Sequence, residues 1–271
     1  MTTTFSESEP MLHVAPSSPS RAIYPSLANK RVLITGGGSG IGEGLVEAFV
    51  AQGSRVAFVD ILDDAADALI ARLAEGAPHA PVYHHCDLTD IDALKSTMAA
   101  IEDELGGVDV LINNAGNDDR HGIEEVTPEY WDDRISVNLR HQFFAAQAVA
   151  PTMKKAGGGV ILNFGSISWH LALPELIVYQ TAKAAIEGLT RSLARDLGRS
   201  NIRVNTIVPG NVRTERQMKW YTPEGEAEIV EAQCLDGRVE PADVAALTLF
   251  LASDDARMCT GHDYFVDAGW R

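Results

Sequence analysis

The sequence predicts an α/β fold, a single domain built on a doubly wound parallel sheet with helices on both faces. Three observations carry that prediction. Short apolar runs alternate with longer amphipathic stretches along most of the chain, which is the pattern of repeated strand–helix–strand units. A glycine-rich stretch, Thr35-Gly-Gly-Gly-Ser-Gly-Ile-Gly42, lies between the first apolar run and the first amphipathic one. The chain has 271 residues, 45% of them hydrophobic, enough for one large core.

Residues 1–20 are rich in Ser, Thr and Pro and read as a loose tail, leaving 21–271 as the folded domain. Arg31-Val-Leu-Ile-Thr35 suits a buried parallel strand. After the glycine turn, Leu45, Val46, Phe49 and Val50 recur at helical spacing, and Gly53 closes that helix. Arg55–Asp60 is the next strand. Ala65–Leu73 is a helix, Val82–Cys86 a strand, and Asp87-Leu-Thr-Asp90 a helix start. Val108–Ile112 is a strand that runs into Asn113-Asn-Ala-Gly116. Residues from Pro128 to Lys155 form one long helical region. Val160–Phe164 is a strand leading to Ser166, Tyr179–Leu197 a helix with an apolar stripe, and Ile202–Val208 a strand ending at Pro209-Gly210. Residues 211–236 are irregular, with helical pieces. Pro241–Ala252 is a helix and Tyr264–Val266 the last strand. No internal repeat and no second domain are visible.

The formal net charge is -16, which would repel phosphate backbones and anionic membrane surfaces, so nucleic acid is not an expected partner. Cys86, Cys234 and Cys259 have neither disulfide nor metal spacing and fit a reducing compartment. No metal site is expected. No apolar run reaches the ~18 residues of a membrane span. The first ten residues carry neither a basic nor an apolar region, so the chain is expected to be cytoplasmic.

A pyrophosphate needs bare backbone N–H groups at a helix N-terminus. Gly36, Gly40 and Gly42 offer that, although the G-x-x-x-G-x-G spacing gives a longer loop than the G-x-G-x-x-G of other dinucleotide sites. Asp60, eighteen residues after Gly42, can hydrogen-bond adenosine ribose hydroxyls and would repel a 2′-phosphate. With no Arg or Lys between Gly36 and Gly42, NAD is favoured over NADP. Asp60 could instead cap the next helix. Asp87 could receive the adenine amino group or be the N-cap of the following helix. Small residues at Asn114-Ala-Gly116 would let a cofactor lie against the backbone.

Tyr179 and Lys183 stand four residues apart, on one face of a helix. A fixed ammonium beside a phenol favours the phenolate and lowers its pKa, making a general base usable near neutral pH. Alone, the pair is common on solvated helix faces. Ser166, thirteen residues before Tyr179, could hold a substrate oxygen. Asn138, mildly unfavourable inside a helix, could hold a water or a backbone carbonyl.

All these pieces occur in one order: T-G-x-x-x-G-I-G at 35–42, Asp60, Asp87, N-N-A-G at 113–116, Asn138, Ser166, Y-x-x-x-K at 179–183 and P-G at 209–210. Over residues 26–271 the chain resembles the short-chain dehydrogenase/reductase family. The resemblance implies a Rossmann fold, NAD as cofactor and a homotetramer. It also implies Tyr179 as acid/base, Lys183 lowering its pKa and holding the nicotinamide ribose, Ser166 orienting the substrate oxygen, and Asn138 holding a relay water. The implied cofactor contacts extend to Ser39, Ile41, Ile61, Leu88, Pro209, Gly210, Val212 and Thr214. Four segments, Asn114–His121, Asn163–His170, Pro209–Gln217 and Lys219–Glu226, resemble a narrower branch of that family, bacterial NAD-dependent enzymes that oxidise D-xylose at C1 to the lactone.

The loops after the fourth, fifth and sixth strands border the site in such sheets. Here they carry many hydrogen-bonding groups where a sterol or acyl pocket would be mostly apolar. Asn117, Ser168, His170 and Asn211, with Ser166 and Tyr179, are the expected substrate contacts. Trp169, Trp220 and Tyr221 could pack on a sugar ring. Asp118, Asp119, Arg213 and Arg216 are expected to pair with one another, at a subunit contact. Oxidation of L-arabinose, D-galactose or L-fucose is the nearest alternative. Reduction of a 3-oxoacyl thioester fits the polar mouth poorly, and a non-catalytic NAD sensor would not need the Ser–Tyr–Lys–Asn set.

Overall fold

Strands β1 (Arg31–Thr35), β2 (Arg55–Asp60), β3 (Val82–His85), β4 (Val110–Asn113), β5 (Gly159–Phe164), β6 (Ile202–Pro209) and β7 (Asp263–Val266) form one sheet. Their order is β3-β2-β1-β4-β5-β6-β7, and every neighbouring pair is parallel. The computed structural model describes residues 22–219 and 221–271. The tail expected over 1–20 and the side chain of Trp220 lie outside the described residues.

Alternate strand residues point to opposite faces, and the core divides accordingly. Val32, Ile34, Val56, Phe58, Val110 and Ile112 meet helices α1 (Gly40–Ala51) and α2 (Asp63–Ala74) and the late Pro241–Ala252 helix on one side. Leu33, Ala57, Val59, Leu111, Ile161 and Val204 meet α3 (Ile91–Leu105), α5 (His141–Ala156) and α7 (Ile177–Leu197) on the other. Burial on both faces explains why the strands read as continuous apolar runs rather than alternating ones.

The helical region expected from Pro128 to Lys155 is not uniform. It comprises α4 (Pro128–Ile135), a π-helical turn over Ser136–Arg140, and α5. The side-chain amide of Asn138 donates to the Arg134 carbonyl at 3.0 Å, competing for an acceptor that a regular helix reserves for the backbone. Such widened turns gather at functional positions. Short helices α6 (Ser168–Leu171), α8 (Glu215–Met218) and α9 (Pro223–Glu231) stand in the loops after β5 and β6, and α10 is Pro241–Ala252. β4 begins two residues later than its apolar run suggests. The Asp109 carboxylate turns back to accept from the Arg31 backbone N–H at 2.9 Å, so the regular pairing with β1 starts at Val110.

The strand order reverses between β1 and β4, and the carboxyl ends of these parallel strands are bonded together. Thr35 Oγ1 accepts from the backbone N–H of Asn114 (3.0 Å) and of Ala115 (3.1 Å). The Asn114 amide donates to the carbonyls of Thr35 (3.0 Å) and Gly36 (2.9 Å). The glycine turn is equally tight. A Cβ on Gly42 would lie 1.7 Å from the Gly36 carbonyl oxygen, which no side chain tolerates. We therefore expect Gly42→Ala to cost about 1–3 kcal/mol, the range for forced overpacking, and to abolish nucleotide binding. Urea unfolding and a fluorescence titration with NADH measure the two effects.

Candidate active site

Above the carboxyl ends of the strands lies a cleft of about 880 Å³, at the place where open α/β sheets bind ligands. Its floor at one end is the turn from β1 to α1. Gly36, Ser39, Gly40, Ile41 and Gly42 all line it. The Ser39 side chain makes no cap bond to α1, so its hydroxyl and the first amides of the helix are left for an anion. Asp60 ends β2. Its Oδ2 accepts from the Gly38 backbone at 2.8 Å, and its Oδ1 accepts from Ile61 (2.8 Å) and Leu62 (3.1 Å). The carboxylate thus braces the glycine loop and the approach to α2 together. Ionised, it has about four acceptor sites, which leaves one for a ligand hydroxyl.

Asp87 is not the cap of α3. That role belongs to Asp90, which accepts from Asp92 and Ala93, while Asp87 Oδ1 accepts from the Thr89 backbone and hydroxyl. Asp87 stays exposed and lines the cleft with Ile61 and Leu88. Asn114, Ala115 and Gly116 form the opposite wall, and Pro209, Gly210, Val212 and Thr214 close its far end. The glycine cradle, the partly free carboxylate and the open helix N-terminus fit a dinucleotide.

Tyr179 sits in the first turn of α7, and Lys183 lies one turn on, its Nζ 5.5 Å from the Tyr179 ring centroid. Lys183 is buried and donates one bond to the Phe164 carbonyl at 2.8 Å. Ser166, just past β5, donates to Ser168 Oγ at 2.9 Å. Asn138 is fully buried and does not line the cleft. It clamps Asn117 from beneath, accepting from the Asn117 N–H (2.8 Å) and donating to its carbonyl (2.9 Å). The backbone contact expected for this residue is present.

The electrostatics differ from the sequence expectation. Burial raises the Tyr179 phenol above its ordinary value, and the Asp118 carboxylate raises it further, while the Ser166 hydroxyl and the Arg216 charge act in the opposite sense. The Lys183 ammonium contributes no lowering that offsets these effects. Its own pKa is pushed down to about 8 by burial, with Asp118 opposing. Removing water penalises both charged forms at once. Beneath the pair, burial and the Lys183 charge push His141 down to about 3, so that imidazole is neutral.

The mouth carries a polar network. Arg216 Nη2 contacts Asn117 Oδ1 (3.0 Å), Asp118 Oδ1 (3.0 Å) and Asp119 Oδ1 (3.1 Å), and Gln217 donates to Asp118 Oδ2 at 3.0 Å. Arg213 pairs with Glu226 and Glu240. Arg216 thus pairs with Asp118 and Asp119 as expected, whereas Arg213 pairs with the two glutamates instead of those aspartates. Asn117, Ser168 and Asn211 line the cleft, with Asn211 held by the Tyr221 hydroxyl (2.7 Å) and Arg238 (2.8 Å).

His170 does not line the cleft. Its Nε2 lies 2.8 Å from Glu187 Oε1, which also accepts from Trp169 Nε1 at 2.9 Å. Helix α6 turns both rings back onto α7, so the expected contacts of His170 and Trp169 with substrate are corrected. Glu187 on α7, which had no signal of its own in sequence, decides that outcome.

A family described as enoyl-(acyl carrier protein) reductase matches residues 36–271. The chain is 64% identical to the D-xylose 1-dehydrogenase of Caulobacter vibrioides over 252 residues, 93% of this chain and 100% of that protein. The chain belongs to the short-chain dehydrogenase/reductase family. It is 49% identical to a Rhizobium meliloti protein named "Probable galactose dehydrogenase", covering 91% of this chain and 96% of that one. Among solved structures of this family's fold, a 7α-hydroxysteroid dehydrogenase complexed with NADH and 7-oxo glycochenodeoxycholic acid superposes with a TM-score of 0.85. It is 32% identical, over 90% of this chain and 96% of that one. A 3-oxoacyl-[acyl-carrier protein] reductase from Brucella melitensis gives 0.84 at 32% identity, over 92% and 94%. No helix among the described residues is long and apolar enough to cross a membrane.

The buried ammonium makes a stability prediction. Its folded pKa of about 8 lies below the ordinary 10.5, so the unfolded chain binds more protons between those values, and stability rises with pH across that window. At pH 7 the buried charge costs the fold about 3 kcal/mol, at 1.36 kcal/mol per unit. Lys183→Met removes that cost and the Phe164 bond together. We expect it to raise stability by about 1–3 kcal/mol at pH 7, seen in urea unfolding, and to flatten the alkaline rise.

Proposed function

We propose that this enzyme oxidises an aldose at C1, D-xylose or a similar sugar, to the aldonolactone, with NAD as cofactor and Tyr179 as general base. The observation that carries this reading is the 64% identity to a D-xylose 1-dehydrogenase along that protein's whole length. The polar mouth supports it separately, because a sugar brings several hydroxyls that must exchange water for protein partners. Asn117, Ser168 and Asn211 are the proposed contacts.

In this reading the anomeric hydroxyl donates to Tyr179, which takes its proton, while the Ser166 hydroxyl donates to the anomeric oxygen. Bound NAD supplies a hydride acceptor and a positive charge in the cleft. Lys183 has two N–H groups beyond its Phe164 bond, which suit the hydroxyls of the nicotinamide ribose, and its charge favours the tyrosinate at the head of a proton relay. Asn138 keeps the 117 backbone fixed and takes part in that relay through a water. The free Asp60 acceptor site holds the adenosine ribose, with Gly36, Gly40 and Gly42 around the pyrophosphate and Asp87 at the adenine. A homotetramer in the cytoplasm belongs to the same proposal and rests on family membership. A second substrate, D-galactose, is favoured by the 49% relative.

Tyr179→Phe should lower turnover by at least about 10²–10⁴-fold, the usual worth of a positioned acid/base, while NADH still binds. Because burial holds the phenol above its ordinary value before cofactor binds, sugar oxidation should quicken as pH rises, in the direction of phenol deprotonation. A flat profile contradicts the role. A panel of D-xylose, L-arabinose, D-galactose and L-fucose, each with NAD and with NADP and read as NAD(P)H absorbance, tests substrate and cofactor together. No signal with any sugar, or a clear NADP preference, overturns the corresponding part.

A further inference from the structure

His121 lies in the loop after β4, and its side chain is buried at 4% exposure. Its Nε2 is 3.2 Å from the backbone nitrogen of Val178, the residue before Tyr179. An amide nitrogen can only donate there, so Nε2 must carry the lone pair and the ring proton must sit on Nδ1. Nδ1 is 3.1 Å from the Asp119 carbonyl and 2.9 Å from the Tyr130 hydroxyl. The carbonyl can only accept, which agrees with that tautomer.

The need for this contact follows from helix α7 itself. The first amides of a helix have no partner within it and are usually met by a Ser, Thr, Asp or Asn at the preceding position. Here that position is Leu176, which makes no side-chain cap bond. The catalytic turn of α7 therefore lacks a cap of its own, and the acceptor comes from a residue 57 positions earlier. The same loop is fastened to the approach of α7 twice more. The His121 backbone N–H donates to Glu175 O at 2.8 Å, and Arg120 donates to Pro174 O at 3.3 Å. Glu175 and Ala172 in that approach take left-handed φ values of 61° and 51°, a conformation costly for residues other than glycine unless outside bonds hold it.

We infer that His121, through its neutral Nδ1–H tautomer, is a positioning residue for Tyr179, capping the first turn of α7 from the loop that also carries the substrate contact Asn117. This rests on Tyr179 being the acid/base. One end of the loop is fixed by Asn138 at Asn117 and the other by His121 at Val178. The base and the sugar-binding wall are thereby held in one frame.

The test compares His121→Phe, which keeps bulk without an acceptor, with His121→Gln, whose amide oxygen can still accept from Val178, using D-xylose or the best aldose of the panel. His121→Phe should lose about 10- to 100-fold in kcat, as expected for a small displacement of a reacting group, with KM and NADH affinity little changed. His121→Gln should recover most of kcat. Unchanged kcat in His121→Phe, or equal losses in both variants, overturns the inference. Tyr179→Phe separates the two claims: an active Tyr179→Phe removes the acid/base reading, whereas an inactive one beside a fully active His121→Phe removes only this one. If His121→Phe does not fold, amide hydrogen exchange in the wild-type enzyme decides. Val178 should be protected above Ile177 at the same helix start, and equal exchange overturns the cap.

Discussion

The bonds that join the end of β1 to the end of β4 are the constraint on which the rest of the site depends. Thr35 and Asn114 each use side-chain polar atoms to hold the other strand's backbone. This fixes the glycine turn against Asn114–Gly116, with so little space that a methyl on Gly36 would come within 2.9 Å of Ala115 Cα. The wall so placed continues to Asn117, and Asn138 grips that residue by both backbone groups. The π turn in the helical region is the local consequence of giving Asn138 this task.

The Tyr179–Lys183 pair is placed at a cost. Burial works against both the phenolate and the ammonium, and the helix that carries them begins without its own cap. A hydrogen-bonded chain helps hold α7 against the sheet: Asn113 donates to Asn163 at 2.9 Å, and Asn163 donates to Thr190 at 2.9 Å. These polar residues are fully or almost fully buried, where an unmet partner would cost about 1–3 kcal/mol. They specify one seating of the helix rather than simply adding adhesion.

The alternation of strands and helices, the glycine turn, Asp60 and the Tyr179–Lys183 spacing were all legible in the sequence, because each depends on neighbours a few residues away. What was not legible depends on distant partners. His170 looked like a substrate contact because it follows β5, yet Glu187, seventeen residues on, draws it away. The two readings open for Asp87, adenine contact or helix cap, were separated only by Asp90 holding the cap position. The expected lowering of the Tyr179 pKa considered only the neighbouring charge, and the depth of burial, which opposes it, is a property of the whole fold. Nothing local in Gly116–Gly122 marks His121 as the partner of Val178.

The contacts of Arg216 and Gln217 with residues 117–119 span the opening of the cleft, and their side chains are about a third to a half exposed where the ion pairs form. Exposed ion pairs are individually worth roughly 0–1 kcal/mol, and salt weakens them. The crossing is thus weak enough to part thermally. Passage of ligands through that opening becomes a natural point for ionic strength to act.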